Sequence, residues 1–177
     1  MLGVFLIFMS IVIAFISLFM ACILISLTSL LFTRVPYVNT PRGYCEKILD
    51  NIDVSGLAVY DLGCGDGYFL SQCAKKGAKK CVGYELSPMA YLSASKKILT
   101  RPISIKFGDF FKANISEADM IYIYLVKTVL AKLSPKLKSE VKPGARIITV
   151  GSPLIDWEPE KVISLHGDYS AYIYKSN

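Results

Sequence analysis

Three glycines alternate with other residues directly after an apolar run that contains an acid. The run at residues 59–62 includes Asp61, and Gly63, Gly65 and Gly67 follow it at every second position. A short apolar run bounded by glycines is typical of a buried strand, and glycine lets the next turn adopt positive φ angles and approach a ligand closely. The spacing differs from the dinucleotide fingerprint G-x-G-x-x-G. The sequence therefore predicts a strand that ends in a ligand-binding loop, with an ordinary glycine-rich turn as the alternative.

Two more acids follow predicted strands. The segment Lys80–Glu85 reads as a second strand that ends in a carboxylate, and Ile103–Phe107 alternates like a third strand and leads into Asp109. In nucleotide-binding α/β folds, an acid at the end of the second strand accepts hydrogen bonds from ribose hydroxyls. Acids at three successive strand ends favour a nucleoside-containing ligand over three unrelated turn residues.

Strands and helices alternate along the chain, which predicts an α/β fold with a parallel sheet covered on both faces. Thr40 is expected to cap a first helix that has Pro41 at its first position, and Pro135 is expected to break or kink the last helix. The last two strands alternate around residues 167–168, which predicts a closing hairpin. Strands are predicted at residues 57–62, 80–85, 103–107, 120–125, 146–150, 162–165 and 169–174, and helices at residues 41–51, 67–76, 89–99 and 128–141.

The first 33 residues contain no charged side chain, and residues 2–32 are almost continuously apolar. This is longer than the ~20 residues that cross a bilayer, so we expect a single transmembrane anchor. The first basic residues, Arg34, Arg42 and Lys47, come after it and predict a cytoplasmic C-terminal part. A cleaved signal peptide or lipoprotein signal is the alternative. The expected organisation is an anchor at 1–33, a proline-containing linker and helix at 34–56, and a catalytic domain at 57–177.

The composition limits the kinds of partner that we expect this chain to bind. The net charge is +6, and the anchor contributes none of it, which favours an anionic membrane surface. No aromatic-basic recognition motif is present, so no nucleic-acid partner is expected. The five cysteines form no C-x-x-C pair and the single histidine lies far from them, so we expect no metal site and no disulfide framework. The oligomeric state is left open.

The glycine loop and the acids resemble the motifs of the class I S-adenosylmethionine (SAM) methyltransferases. The resemblance implies a seven-stranded, Rossmann-like sheet with an antiparallel last strand, and SAM as the cofactor. It also implies that Asp109 bonds the adenine amino group. The residues expected to hold the cofactor are Asp61, Gly63, Cys64, Gly65, Gly67, Glu85 and Asp109.

Over nearly the whole soluble part, the chain is similar to the small membrane-anchored protein-lysine methyltransferases that act on mitochondrial membrane proteins, and to their prokaryotic relatives. The motifs that carry this resemblance lie at residues 36–41, 61–67, 83–88, 109–112 and 153–159. The resemblance implies a lysine acceptor on a membrane-associated protein. Tyr124 and Tyr37 are the candidates to line the acceptor pocket.

Two positions depart from the family pattern near the expected active edge. Tyr68 stands where the family often has arginine, and Lys127 follows a strand end that lacks the expected proline. Substrate identity is therefore left open. The alternatives are methylation of a lipid or small hydrophobic molecule, a membrane-tethered protein that binds SAM without catalysis, and, most distantly, an oxidoreductase on a similar core.

Overall fold

The computed structural model describes residues 2–33, 40–97 and 102–177, and the chain forms two compact units, Met1–Pro36 and Tyr37–Asn177. The first unit contains one helix, α1 (Leu2–Thr33). Its segment Phe5–Leu27 is long and apolar enough to cross a membrane, by length and composition. Large apolar side chains are exposed all along this segment, so the helix has no polar face for water.

The second unit alternates helices and strands. Its helices are α2 (Arg42–Leu49), α3 (Tyr68–Lys75), α4 (Pro88–Lys97) and α5 (Lys127–Glu140). Its strands are β1 (Ala58–Leu62), β2 (Lys80–Glu85), β3 (Ile103–Phe107), β4 (Met120–Ile123), β5 (Arg146–Val150), β6 (Lys161–Ser164) and β7 (Ser170–Lys175). A short 3₁₀ helix, Phe110–Lys112, follows β3.

The strands form one seven-stranded sheet in the order β3-β2-β1-β4-β5-β7-β6. Strands β1 to β5 run parallel to one another, and β7 runs antiparallel to both β5 and β6. This confirms the predicted α/β class and its closing hairpin. The carboxyl ends of β1–β5 therefore meet the start of β7 along one side of the sheet, which we call the carboxyl edge; the opposite side is the amino edge.

The central strands are buried on both faces, as expected for a parallel sheet between helices. Every residue of β1 and β4 is buried. The ring of Phe69 from α3 stacks on Tyr122 of β4, with ring centroids 3.8 Å apart. The register pairs Asp61 with Gly83 on one side and with Tyr122 on the other. Asp61 is therefore a carboxylate at the centre of an apolar sheet.

Ion pairs tie the amino edge of the sheet together. Asp119, just before β4, accepts a 2.7 Å hydrogen bond from the Ala58 amide and pairs with the ammonium groups of Lys142 and Lys79 at 2.5 Å and 3.1 Å. These contacts hold the pKa of the Asp119 carboxyl well below its usual range, and the Lys142 hydrogen bond contributes most. The amino edge is thus a closed electrostatic network with its acid satisfied.

Two local predictions are wrong. Pro41, not Thr40, precedes α2 directly, and no side chain caps this helix; the Thr40 hydroxyl instead accepts a 3.2 Å hydrogen bond from the buried Tyr122 phenol. The predicted break at Pro135 is also wrong, because α5 continues across that residue. Buried leucines before and after the proline, Leu133 and Leu137, hold both halves of α5 in the core, which offsets the cost of the lost amide hydrogen bond.

The predicted strand ends shift by one or two residues elsewhere. The fourth strand ends at Ile123, so Tyr124 lies in the loop directly after it. The expected end of the helix after β2, Leu99, lies outside the residues that the structure describes. The late Pro-Trp segment connects β5 to β6, and the Trp157 indole donates a 3.0 Å hydrogen bond to Ser134 of α5. This contact fixes the connection against the helix.

Candidate active site

The glycine loop after β1 has the geometry that its sequence predicts. Gly63, Gly65 and Gly67 have φ values of 91°, 55° and 74°, a region that residues with a Cβ rarely adopt. The amides of Gly63 and Cys64 both donate to the Tyr84 carbonyl, at 2.9 Å and 3.0 Å. The loop is therefore held against the end of β2, and its backbone turns over the carboxyl edge into α3.

Glu85, the last residue of β2, braces this loop with its carboxylate. One oxygen accepts the Gly65 amide at 2.8 Å and the other accepts the Ser87 amide at 2.7 Å. Burial raises the pKa of Glu85, and the backbone hydrogen bonds partly oppose that rise. A carboxylate has about four acceptor positions, so both oxygens keep capacity for ligand hydroxyls. The two amides fix the orientation of the carboxylate, which can still accept hydrogen bonds from a ligand.

Asp61 is buried, with only 3% of its surface exposed, and it lines a pocket under the glycine loop. Burial raises its pKa well above the usual range, and the neighbouring carboxylates of Glu85 and Asp66 add to the rise. Among the described residues, no group donates a hydrogen bond to its side chain to oppose these effects. A buried acid with other carboxylates beside it is costly, which indicates a site suited to a cationic ligand.

The pocket fits the charged end of SAM. It is lined by Thr40, Cys45, Asp61, Gly63, Cys64, Gly65, Asp66, Tyr68 and Phe69. SAM carries a sulfonium and an ammonium group, and the Asp61 and Asp66 carboxylates supply the negative charge that these groups require. The residues present therefore fit the cofactor.

Gly83 in β2 is required for close packing beneath the loop. A Cβ built on Gly83 would lie 2.8 Å from the Leu70 side chain and against the Cys64 side chain. Cys64 is itself buried, and burial raises the pKa of its thiol far above the usual range. The Cys64 thiol thus serves the packing beneath the loop. We expect Cys64 to contribute to the pocket through its backbone.

Asp109 follows β3 at the same edge, as predicted. Its carboxylate accepts a 2.9 Å hydrogen bond from the Phe111 amide and caps the 3₁₀ helix Phe110–Lys112. The preceding Gly108 donates its amide to the Glu85 carbonyl at 3.0 Å, which ties the ends of β3 and β2 together. Asp61, Glu85 and Asp109 therefore lie at the carboxyl ends of three adjacent strands, and the Asp109 carboxylate keeps acceptor positions beyond its cap.

The structure describes one of the two tyrosines that were predicted to line the acceptor pocket. Tyr124 lies at the carboxyl edge directly after β4, half-buried, and burial raises the pKa of its phenol. Tyr37 lies outside the residues that the structure describes. Sequence reasoning did not identify Tyr44 and Tyr169, which lie 5.8 Å apart between ring centroids and share this part of the edge. Their distance in the chain left no local pattern that could have paired them.

Sequence reasoning also did not identify Arg42 as a candidate site residue. Its guanidinium lies over the ring of Tyr68 at 5.1 Å from the centroid, and the Tyr68 hydroxyl lies 3.1 Å from the Glu46 carboxylate. Tyr68 lines the pocket, so α2 brings a cation beside the position where the sequence departs from the family pattern. Arg42 is therefore a candidate to attract an anionic group of a ligand, through its position over a ring that lines the pocket.

Comparison with known proteins agrees with this geometry. A profile for the ANTKMT methyltransferase domain matches residues 61–161. The chain is 36% identical over 150 residues to a protein-lysine N-methyltransferase of Saccharolobus islandicus (strain REY15A), covering 80% of this chain and 93% of that protein. It is 28% identical over 134 residues to the adenine nucleotide translocase lysine N-methyltransferase of Mus musculus, covering 73% of this chain but only 58% of that protein.

A solved structure supports the cofactor assignment. The crystal structure of an RNA methyltransferase from Salinibacter ruber in complex with S-adenosyl-L-homocysteine superposes with a TM-score of 0.74 at 29% identity, covering 78% of this chain and 93% of that one. The fold, the cofactor and the enzyme class thus agree with the resemblance seen in the sequence. The chain belongs to the ANTKMT methyltransferase family, a family of SAM-dependent enzymes that includes protein-lysine N-methyltransferases.

Proposed function

We propose that this protein is a membrane-anchored methyltransferase that transfers methyl groups from SAM to lysine side chains of membrane-associated proteins, with its catalytic domain in the cytoplasm. The observation that carries the enzymatic part is the set of three acids at the ends of β1, β2 and β3, of which Asp61 is the most deeply buried and has a pKa raised by that burial and by neighbouring carboxylates. Two lysine methyltransferases that are similar to this chain support lysine as the acceptor.

Each cofactor-binding residue has a role that follows from its position. Glu85 accepts the ribose hydroxyls, Asp109 accepts the adenine amino group, and Asp61 faces the cationic methionine end. Gly63, Gly65 and Gly67 let the loop backbone approach the cofactor closely, and the Cys64 backbone completes that loop. When bound, SAM supplies an activated methyl group on a sulfonium, which passes to an uncharged amine and leaves the thioether product.

The protein's remaining task is to present the acceptor. A lysine ammonium, with a pKa near ~10.4 in water, must lose its proton to solvent before its nitrogen lone pair is available. Partial burial of the amine beside a residue such as Tyr124 disfavours the charged form and lowers the pKa of the lysine. Holding the amine in line with the reacting bond can supply about 7–11 kcal/mol of barrier reduction. Tyr124 and Tyr37 are the proposed residues of this surface.

Membrane anchoring is supported by the apolar helix and by the charges that follow it. The segment Phe5–Leu27 carries no charge, and Arg34, Arg42 and Lys47 come after it. By the positive-inside tendency these residues favour a cytoplasmic domain, where SAM is made. A reporter active only outside the cytoplasm, fused to the C-terminus in a bacterial host, is expected to give no signal; a strong signal there contradicts this orientation.

The substrate class is tested with membranes and tritium-labelled SAM. Full-length protein is expected to label lysines of membrane proteins, and the Glu85→Ala variant, which binds the cofactor poorly, is the control. Label in extracted lipid with none in protein would replace the lysine acceptor by a lipid or small hydrophobic molecule. If the protein binds SAM but transfers no methyl group, it is a membrane-tethered SAM-binding protein without catalytic activity.

The contribution of the anchor is tested by deleting residues 1–33. The anchor joins the catalytic part through a short proline-containing segment, so lysines close to the bilayer are reached at high effective concentration. The deletion is expected to leave the SAM dissociation constant unchanged and to reduce labelling of membrane proteins. Equal labelling by both forms at matched concentration would show that the helix is a passive tether.

A further inference from the structure

Three tyrosines gather at the half of the carboxyl edge that the acids do not occupy. Tyr124 follows β4, Tyr169 directly precedes β7, and Tyr44 lies on α2. The rings of Tyr44 and Tyr169 have centroids 5.8 Å apart at an interplanar angle of 40°. We call these three residues the tyrosine cluster.

Gly151, directly after β5, brings the cluster together. A Cβ built on Gly151 would lie 3.4 Å from ring atoms of Tyr169 and 3.6 Å from Cε2 of Tyr124, so both rings close over the backbone at this point. The φ of Gly151 is 82°, which makes a larger residue strained here. The Tyr44 hydroxyl donates a 3.1 Å hydrogen bond to the His166 carbonyl in the β6–β7 connection. The three rings thus come from separate segments that are fixed to one another.

The cluster is electrically neutral but rich in π-electron density. Burial raises the pKa of the Tyr124 phenol, and Tyr169 and Tyr44 add to the rise. This phenol therefore stays protonated at neutral pH and does not act as a base. Part of the cluster remains accessible, since Tyr169 is 46% exposed and Tyr124 is half-buried. Ring faces that are partly accessible and partly desolvated attract cations.

The strand order places the cluster beside the reacting end of the cofactor. The acids lie at the ends of β3, β2 and β1, and the next strand along the sheet is β4, followed by Tyr124. The two loops also touch, because a Cβ on Gly63 would lie 3.4 Å from the Leu125 side chain. A cofactor that runs from Asp109 past Glu85 to Asp61 ends where the tyrosine cluster begins.

We propose that the tyrosine cluster is the binding site for the alkylammonium group of the acceptor lysine. This assignment rests on the proposed lysine acceptor. The ring faces offset part of the cost of taking the ammonium out of water, while the three tyrosines offer it no carboxylate. That choice matters chemically, because a paired carboxylate would hold the proton on the nitrogen and block its lone pair. Since a ring face requires no N–H group, the site also accepts mono- and dimethylated ammonium.

Binding is measured by NMR on the full chain in nanodiscs, saturated with S-adenosyl-L-homocysteine and labelled with ¹³C in the tyrosine rings. The probes are butylammonium, butyltrimethylammonium and the uncharged 1-butanol. Both cations are expected to shift the resonances of Tyr124 and Tyr169, and butanol is expected to bind at least about threefold more weakly than either. Equal binding of butanol, or shifts elsewhere only, would overturn the assignment.

Variants separate the role of the ring from that of the fold. Tyr169→Leu keeps an apolar side chain without a ring, and it is expected to weaken binding of both cations about 3- to 30-fold. Tyr169→Phe keeps the ring face and is expected to stay within about threefold of wild type. The control is Tyr91→Leu, which removes a tyrosine outside the cluster that packs on Phe107 at the end of β3. Unchanged cation binding in Tyr169→Leu would overturn the proposal.

Transfer kinetics distinguish this proposal from the function on which it rests. With membranes and tritiated SAM, Tyr169→Leu is expected to raise the KM for membrane protein about 3- to 30-fold while leaving the SAM dissociation constant unchanged. If wild type labels protein lysines and Tyr169→Leu labels them equally below saturation, the tyrosine cluster is not the acceptor site. If wild type labels no protein lysine, the proposed function itself fails.

Discussion

The two edges of the sheet treat their acids in opposite ways. At the amino edge, Asp119 has two lysines and a backbone amide as partners, and its pKa is held well below the usual range. At the carboxyl edge, Asp61 is more deeply buried, has two carboxylates as neighbours, and has a raised pKa. The same residue type thus stabilises the fold at one edge and costs stability at the other.

This difference separates folding from function. Charges that serve only the fold are expected to be paired, because an unpaired buried charge is expensive. The carboxyl edge departs from that rule at Asp61, where we propose that a cationic cofactor supplies the missing charge. Natural active sites commonly trade stability for ligand binding in this way. Substitutions at the two edges are therefore expected to separate stability from SAM affinity.

The largest expected effect is the loss of SAM affinity in Glu85→Ala. The substitution removes the ribose acceptor and the brace on the Gly65 amide, so binding is expected to weaken about 100-fold, or about 3 kcal/mol, in calorimetric titration. The matched control is Glu117→Ala at the amino edge, whose exposed ion pair with Lys80 contributes little. A folded Glu85→Ala variant that binds SAM as tightly as wild type would contradict the site.

Asp119→Ala is expected to reduce stability without affecting the cofactor. Loss of the paired carboxylate should lower the free energy of unfolding at pH 7 by about 1–3 kcal/mol, with the SAM dissociation constant unchanged. Because the folded pKa is lowered, the stabilisation by Asp119 is present above the unfolded value of about 3.9 and is lost as the pH falls below it. Denaturant unfolding should therefore show the two proteins converging in acid.

Asp61→Asn is expected to have the opposite pair of effects. It should raise the unfolding free energy of the cofactor-free protein by about 1–2 kcal/mol at pH 7 and weaken SAM binding at least about tenfold. Here the folded pKa is raised, so the stabilising contribution of the acid is present below about pH 3.9 and is lost as the pH rises through the folded value. The advantage of asparagine should grow with pH. A destabilised variant would contradict the comparison between the edges.

The smallest effect is expected at Arg42. Its guanidinium lies over Tyr68, which lines the pocket, and is placed to attract the carboxylate of the methionine group. Arg42→Gln should weaken SAM binding about fivefold, or about 1 kcal/mol. Binding of 5′-methylthioadenosine, which lacks the amino-acid group, should not change. Lys47→Gln on the same helix is the control. An equal loss for both ligands would point to a disturbed helix instead of a lost charge.

The fold was predictable because its signals are local and repeated. The boundaries of β2, β3 and β5 agree with the predicted ranges, since each strand is an apolar or alternating run that ends at an acid or at a following glycine. The resemblance supplied the seven-stranded sheet and its antiparallel last strand, and the structure supplied the strand order. The break predicted at Pro135 does not occur, because tertiary packing of α5 outweighs the local cost of a proline.

The candidate site was predictable only in its cofactor half. Asp61, Glu85 and Asp109 each follow a recognisable strand, so the sequence brings them to one edge. Tyr44 and Tyr169 come from a helix and a hairpin loop, and only the three-dimensional structure pairs their rings. The difference between Asp61 and Asp119 was also invisible, because it depends on which lysines reach each carboxylate.

The most direct test is a crystal structure of the full chain, grown from a lipidic phase, with S-adenosyl-L-homocysteine bound. The ribose hydroxyls are expected within hydrogen-bond distance of Glu85, the adenine amino group beside Asp109, and the amino-acid group beside Asp61, with the sulfur facing Tyr124. A ligand bound at the amino edge beside Asp119, or a ribose out of reach of Glu85, would contradict the assignment of the carboxyl edge as the active site.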